Sequence, residues 1–207
     1  MGTGPVFIVV MGVSGTGKST LGAALAAALR LPYVDGDDLH PRANVEKMGR
    51  GEPLTDADRG PWLSAIRGTA ERIVGEQQQR LDASAEAEEG PHGVVIACSA
   101  LKRAYRDVLR GRGGEGDAAQ PTRTDHTRGG PAALPTYFVF IDGSREVLRA
   151  RMTNRTGHFM KAGMLDSQLA TLESPRGEEG VVLVSVEDPT ATQVENAVRE
   201  LEGLLAG

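Results

Sequence analysis

Val6-Phe7-Ile8-Val9-Val10-Met11 runs directly into Gly12-Val13-Ser14-Gly15-Thr16-Gly17-Lys18-Ser19-Thr20. The first stretch is wholly apolar, rich in β-branched residues, and ends at a glycine. It predicts a short strand buried on both faces, as in a parallel sheet. Gly12 to Ser19 matches G-x-x-x-x-G-K-[S/T]. The composition makes a chance match roughly 4 × 10⁻⁵ per start position, under ~1% over the chain. The context is also the one the motif needs, because Lys18 to Leu29 reads as an alanine- and leucine-rich helix that Pro32 stops.

The chemistry of such a loop is physical. Glycines let the backbone wrap so that successive N–H groups from Gly12 to Thr20 point at phosphate oxygens. The helix behind adds its positive N-terminal end. Lys18 is placed to reach the β- and γ-phosphates, and the Ser19 hydroxyl to ligate Mg²⁺. This pattern implies a nucleoside triphosphate and says nothing of what receives the phosphate.

Outward from the loop, helices alternate with apolar runs. Tyr33-Val34-Asp35, Val94 to Cys98, Tyr137 to Ile141 and Val181 to Val186 read as four further strands. Helices are expected over 41–48, 55–79, 101–110, 145–155, 164–173 and 190–205. Thr55 and Asp58 form a capping pair at the start of the long third helix. This order predicts an α/β fold, a five-stranded parallel sheet with helices on both faces. The 207 residues are expected to form one domain. Residues 111–135, with six glycines and three prolines, read as a mobile surface insertion outside the core.

Composition narrows the function. A net charge of −5 argues against broad binding to nucleic acid or anionic lipid. The longest run lacking both polar residues and glycine is seven, Ala23 to Leu29, far short of the ~20 a membrane span needs. The N-terminus carries no signal-peptide pattern, and the single cysteine, Cys98, has no partner for an internal disulfide. A cytoplasmic protein is expected.

Asp35 and Asp37 follow the second strand, where ligands bind in open α/β sheets. If the extended backbone continued, both carboxylates would lie on one side, one near a metal-bound water and one to accept a hydroxyl proton. The third strand ends Cys98-Ser99-Ala100, with no carboxylate to activate water, and N-K-x-D is absent. Transfer to a bound acceptor is therefore favoured over hydrolysis. Arg151 and Arg155 sit at i, i+4 beside Gly157, a pattern suited to a lid over about 151–173. Trp62 and Cys98 read as core. Arg103, Arg106 and Arg110 read as a solvated helix face.

Several blocks then combine. Met11 to Ser19 is followed by Asp35-Gly36-Asp37-Asp38-Leu39-His40-Pro41, Asn44-Val45-Glu46-Lys47-Met48 and Gly51-Glu52-Pro53-Leu54-Thr55-Asp56. Asp58-Arg59-Gly60-Pro61-Trp62-Leu63, Cys98-Ser99-Ala100-Leu101-Lys102, Tyr105-Arg106-Asp107 and Gly157-His158-Phe159-Met160 complete the series. It resembles the thermoresistant-type gluconokinases, P-loop kinases related to shikimate kinase. The resemblance runs from about residue 6 to the C-terminus, apart from 111–135. It implies a P-loop kinase three-layer sandwich with a small helical lid, and transfer of the ATP γ-phosphate to the 6-hydroxyl of D-gluconate with Mg²⁺. It further implies Asp37 as base or orienting group, Asp35 near the metal with Ser19, and Arg59 as the clamp for the substrate carboxylate, a bidentate task suited to guanidinium. Ser99, Ala100 and Lys102 would line the acceptor pocket, His40 and His158 would meet hydroxyls, and Arg151 and Arg155 would serve the lid. A homodimer is expected on the same ground. Another sugar acid or a shikimate-like acceptor remains a near alternative, and a slowly hydrolysing nucleotide switch a distant one.

Overall fold

A computed structural model describes residues 4–83, 92–112, 134–153 and 162–206. Its central strand is β1, Val6–Met11, every residue of which is buried. The reason is a helix layer on each side. Val6, Ile8 and Val10 join one apolar cluster, and Phe7, Val9 and Met11 another. The period of two sorts one unbroken hydrophobic run between two cores. Each fully buried large side chain contributes roughly 1.5–3 kcal/mol.

The elements continue as α1 (Lys18–Leu29), β2 (Tyr33–Asp35), a 3₁₀ turn (Gly36–Leu39), α2 (Arg42–Gly49) and α3 (Asp56–Ala83). Then come β3 (Gly93–Ala97), α4 (Arg103–Leu109), β4 (Thr136–Asp142) and α5 (Arg145–Thr153). α6 (Ala162–Thr171), β5 (Val181–Ser185) and α7 (Thr190–Leu205) close the sequence. The strands form one five-stranded sheet, ordered β2-β3-β1-β4-β5 and parallel throughout. One core packs β1 against α1 and α7 residues such as Leu25 and Leu201, and the other packs it against Trp62, Leu63 and Ile66 of α3. All strand carboxyl ends therefore share one edge, where the loops after β1, β2 and β3 meet.

Three expectations change. The capping pair holds, with Asp58 N–H donating to Thr55 Oγ1 and Thr55 N–H to Asp58 Oδ2, but α3 runs on to Ala83. Leu134 belongs to the second core, so the C-terminal flank of 111–135 does contribute to packing, while 113–133 lie outside the described residues. Arg103 is exposed as expected, but Arg106 and Arg110 are not part of a solvated face. Arg106 is wholly buried, and its guanidinium donates to the carbonyls of Ala100, Leu101 and Glu173 and to both Glu178 carboxylate oxygens. Arg110 joins it on Glu178 at 3.0 Å. Arg106 thus closes the loop after β3 onto the segment before β5, and satisfies the buried Ala100 carbonyl.

Candidate active site

The phosphate loop takes the expected shape. Gly12, Gly15 and Gly17 have φ of 150°, 82° and 93°. A Cβ on Gly12 would press on Thr16 Oγ1 at 3.1 Å and the Ile141 carbonyl at 3.2 Å, so the loop's first bend admits glycine alone. Thr16 Oγ1 and Lys18 Nζ both donate to the Val13 carbonyl, at 2.9 and 3.0 Å, which holds the loop closed on itself. Gly17, the N-cap of α1, has no side chain to cap the helix, so the positive end of α1 opens onto the loop.

After β2 the backbone does not stay extended. The 3₁₀ turn starts at Gly36, and Asp35 caps it by accepting the Asp37 N–H on Oδ1 at 3.1 Å. Asp35 Oδ2 takes the Tyr33 hydroxyl at 3.2 Å, and Tyr33 also hydrogen-bonds the Ser19 side chain. Burial, then the Asp35 charge, pushes the Tyr33 phenol up to about 12. The two aspartates thus part company. Asp35 turns toward Ser19 through Tyr33, and Asp37 borders a cavity with Lys18. The turn is pinned by Trp62, whose Nε1–H donates to the Gly36 carbonyl at 2.7 Å. Gly36 is needed because a Cβ there would lie 2.2 Å from the Ala97 carbonyl.

That cavity, of about 130 Å³, lies at the carboxyl edge of the sheet. Ser14, Lys18, Asp37 and Ser99 form its floor side, and His40, Glu52, Leu54, Arg59 and Trp62 come from the α2–α3 region. Arg59 donates to the Leu54 carbonyl and lies 5.8 Å over the Tyr105 ring, so its guanidinium is oriented before any ligand arrives. Lys47 of α2 is tied to Asp58 of α3 at 2.6 Å, clamping the two helices that carry this wall. Among expected acceptor residues, Asp37, His40, Arg59 and Ser99 meet here. Ala100 and Lys102 do not border it. Ala100 is buried in a left-handed bend (φ 44°) with its carbonyl under Arg106. Lys102 is drawn away by Asp56, at 2.7 Å, beside the Tyr105 ring.

α6 supplies residues that sequence reasoning missed. Ser167 and Gln168 border the same cavity, and Gln168 Oε1 accepts the Ser14 N–H at 2.6 Å. No local pattern marks them, and Gln168 reaches the phosphate loop across 154 positions. A second cavity of about 370 Å³ lies on the other side of the loop. Gly15, Gly17 and Thr20 line it with Arg151, Asp188 and Thr190, the last two also unforeseen. Arg155 and His158 lie outside the described residues.

The donor set fits the groups this loop implies. The phosphate cradle is built, and the Ser19 hydroxyl with Asp35 behind Tyr33 offers hard oxygens. Among the described residues no three His, Cys, Asp or Glu side chains cluster, so a divalent ion here would draw on phosphate and water as well. No helix among the described residues is long and apolar enough to cross a membrane.

Comparison with known proteins gives the same direction. A shikimate kinase family model matches residues 14–55, the span from the phosphate loop to the start of α3. A gluconokinase of Gluconobacter oxydans is 43% identical over 202 residues, 98% of this chain and 94% of its own length. A probable gluconokinase of Schizosaccharomyces pombe is 42% identical over 181 residues, 87% of this chain and 79% of its own. The crystal structure of a gluconokinase from Sinorhizobium meliloti 1021 superposes with a TM-score of 0.72 at 44% identity, covering 98% of this chain and 94% of that one. Identity of that order over nearly the whole length, on the same fold, places the chain in the gluconokinase family.

Proposed function

We propose that this protein transfers the γ-phosphoryl group of ATP to the 6-hydroxyl of D-gluconate, giving 6-phospho-D-gluconate and ADP. The observation that carries the reading is that Lys18 of the phosphate loop, Asp37 and Arg59 border one cavity. A cation for the transferring phosphoryl, a carboxylate for a hydroxyl proton and a guanidinium for a carboxylate are what a sugar-acid kinase needs.

In this reading the loop amides from Gly12 to Thr20 hold the triphosphate, and Lys18 swings from the Val13 carbonyl onto the phosphates. The second cavity, with Arg151 and Thr190, takes the rest of the nucleotide. Arg59 holds the acid's carboxylate, and this fixes which end of the polyol meets the loop. Asp37 orients the terminal hydroxyl and accepts its proton as the new O–P bond forms and the bond to the β-phosphate bridging oxygen breaks. Ser19, with Asp35 positioned behind Tyr33, would hold Mg²⁺, which supplies charge neutralisation on the phosphate oxygens. Arg155 and His158 are proposed for the lid and the acceptor, and a cytoplasmic homodimer is the proposed working form.

The test is ADP release by the purified protein with Mg·ATP and a panel of gluconate, shikimate, glucose and nucleoside monophosphates. Gluconate-dependent turnover is expected. Turnover with a different acid alone, or ADP release indifferent to every acceptor, overturns the assignment.

A further inference from the structure

His40 stands where the 3₁₀ turn, α2 and α3 meet. Its ring stacks on Trp62, with centroids 4.0 Å apart and planes 12° apart, and it borders the first cavity. Asn44, in the first turn of α2, is buried and donates from Nδ2 to the Asp58 carbonyl at 2.8 Å. A backbone carbonyl accepts only, so this bond fixes which end of the Asn44 carboxamide is the NH₂ group. The same nitrogen lies 3.4 Å from His40 Nδ1. An amide NH₂ has a second hydrogen and no lone pair to offer, so Nδ1 must be the acceptor. A neutral imidazole that accepts at Nδ1 carries its proton on Nε2.

We infer that Asn44 is a positioning residue that locks His40 in the Nε2–H tautomer, so that the ring offers the acceptor pocket a hydrogen-bond donor for a hydroxyl oxygen. The identity of that hydroxyl's owner rests on the sugar-acid reading above, and the tautomer does not. The surroundings keep the ring neutral. Burial in the cavity wall pushes its pKa below the ordinary value, Asp37 pulls it back, and Arg59 pushes it down again. Trp62 against the ring face resists the flip that would put Cδ2 in the place of Nδ1. The donor is useful because Asp37 and Glu52, on the same cavity, only accept when ionised. A hydroxyl that gives its hydrogen to a carboxylate still has lone pairs to fill, and a neutral N–H fills one without adding charge beside Arg59.

The test is a long-range ¹H–¹⁵N spectrum of the histidine rings in ¹⁵N-labelled protein without substrate. Four histidines are present, and a His40→Gln spectrum identifies the signal that disappears. In the unmodified protein Nδ1 is expected in the unprotonated range and Nε2 in the protonated range. Asn44→Ala is expected to mix the tautomers and raise the gluconate KM roughly five- to tenfold, with kcat changed less than about twofold. His40→Gln, whose amide nitrogen reaches the place of Nε2, should keep KM within about threefold, and His40→Asn should not. A proton found on Nδ1 in the unmodified protein, or His40→Asn outperforming His40→Gln, overturns the inference. Because the spectrum needs no substrate, failure to turn over gluconate counts against the substrate assignment alone.

Discussion

The two walls of the acceptor cavity are built in different ways. The wall at the end of β1 is mostly backbone, a glycine loop folded on itself with one lysine across it. The opposite wall, from the turn after β2 to the start of α3, is held by side chains bonded to one another and to backbone carbonyls. Trp62 holds Gly36, Asn44 holds His40, Lys47 holds Asp58, and the Leu54 carbonyl holds Arg59. A backbone site tolerates substitution everywhere but at its few special positions. A side-chain network spreads its dependence, so single changes there should shift binding or stability by modest amounts.

The largest expected effect tests the first wall. Lys18→Ala removes the one side-chain cation of the loop and leaves the Val13 carbonyl to Thr16 alone. Turnover is expected to fall by about 10³-fold, the scale seen when a preorganised charge is taken from a developing transition state. The melting temperature should move little. Near-normal kcat in this variant would show that the loop acts through backbone alone.

Next in size is Gly36→Ala. The added methyl would sit 2.2 Å from the Ala97 carbonyl, and backbone in a parallel sheet cannot yield cheaply. A loss of about 3 kcal/mol is expected, or roughly 6–12 °C in melting temperature for a chain of this size. If stability is kept while KM rises, the turn is softer than its hydrogen bonds to Trp62 and Asp35 imply.

The contrast between walls also explains what the sequence made readable. The strands and most helices followed from apolar periodicity, and α1 and α7 have the expected bounds. The phosphate loop is a local backbone solution, so its residues are contiguous and legible. Asp37, His40, Arg59 and Ser99 were legible through contiguous blocks. Three features were not. The turn at Gly36 depends on a carbonyl from β3, which no reading of Asp35-Gly36-Asp37 contains. Arg106 is buried by Glu178, 72 positions away, so its helix face looked solvated. Gln168 enters the site from α6 with no neighbouring pattern to mark it. Contacts of long sequence separation, made by ordinary residues, leave no trace in local composition.

Arg59→Lys probes the second wall at one point. The lysine keeps the charge and loses the planar fork, and it loses the hold from the Leu54 carbonyl and the Tyr105 ring face. About tenfold higher KM for the acid is expected with kcat largely kept, since the contact binds ground and transition states alike. An unchanged KM removes Arg59 as the carboxylate clamp.

The smallest effect concerns the clamp between α2 and α3. The Lys47 ammonium, with the Thr55 N–H and hydroxyl, holds the Asp58 carboxyl well below the usual carboxylate range. A group whose folded pKa is depressed contributes stability above its unfolded pKa, near 4, and loses it as pH falls toward the folded value. Melting temperature should therefore decline on acidification below about pH 5. Asp56, Glu178 and Asp166 are also held low by cationic partners and share in that decline. The contribution of Asp58 is isolated by difference, because Asp58→Asn keeps the shape and cannot titrate. Its curve should start lower at neutral pH, fall less steeply in acid, and draw toward that of the unmodified protein as the pH falls. Parallel curves would mean that Lys47 and Asp58 meet without holding the wall.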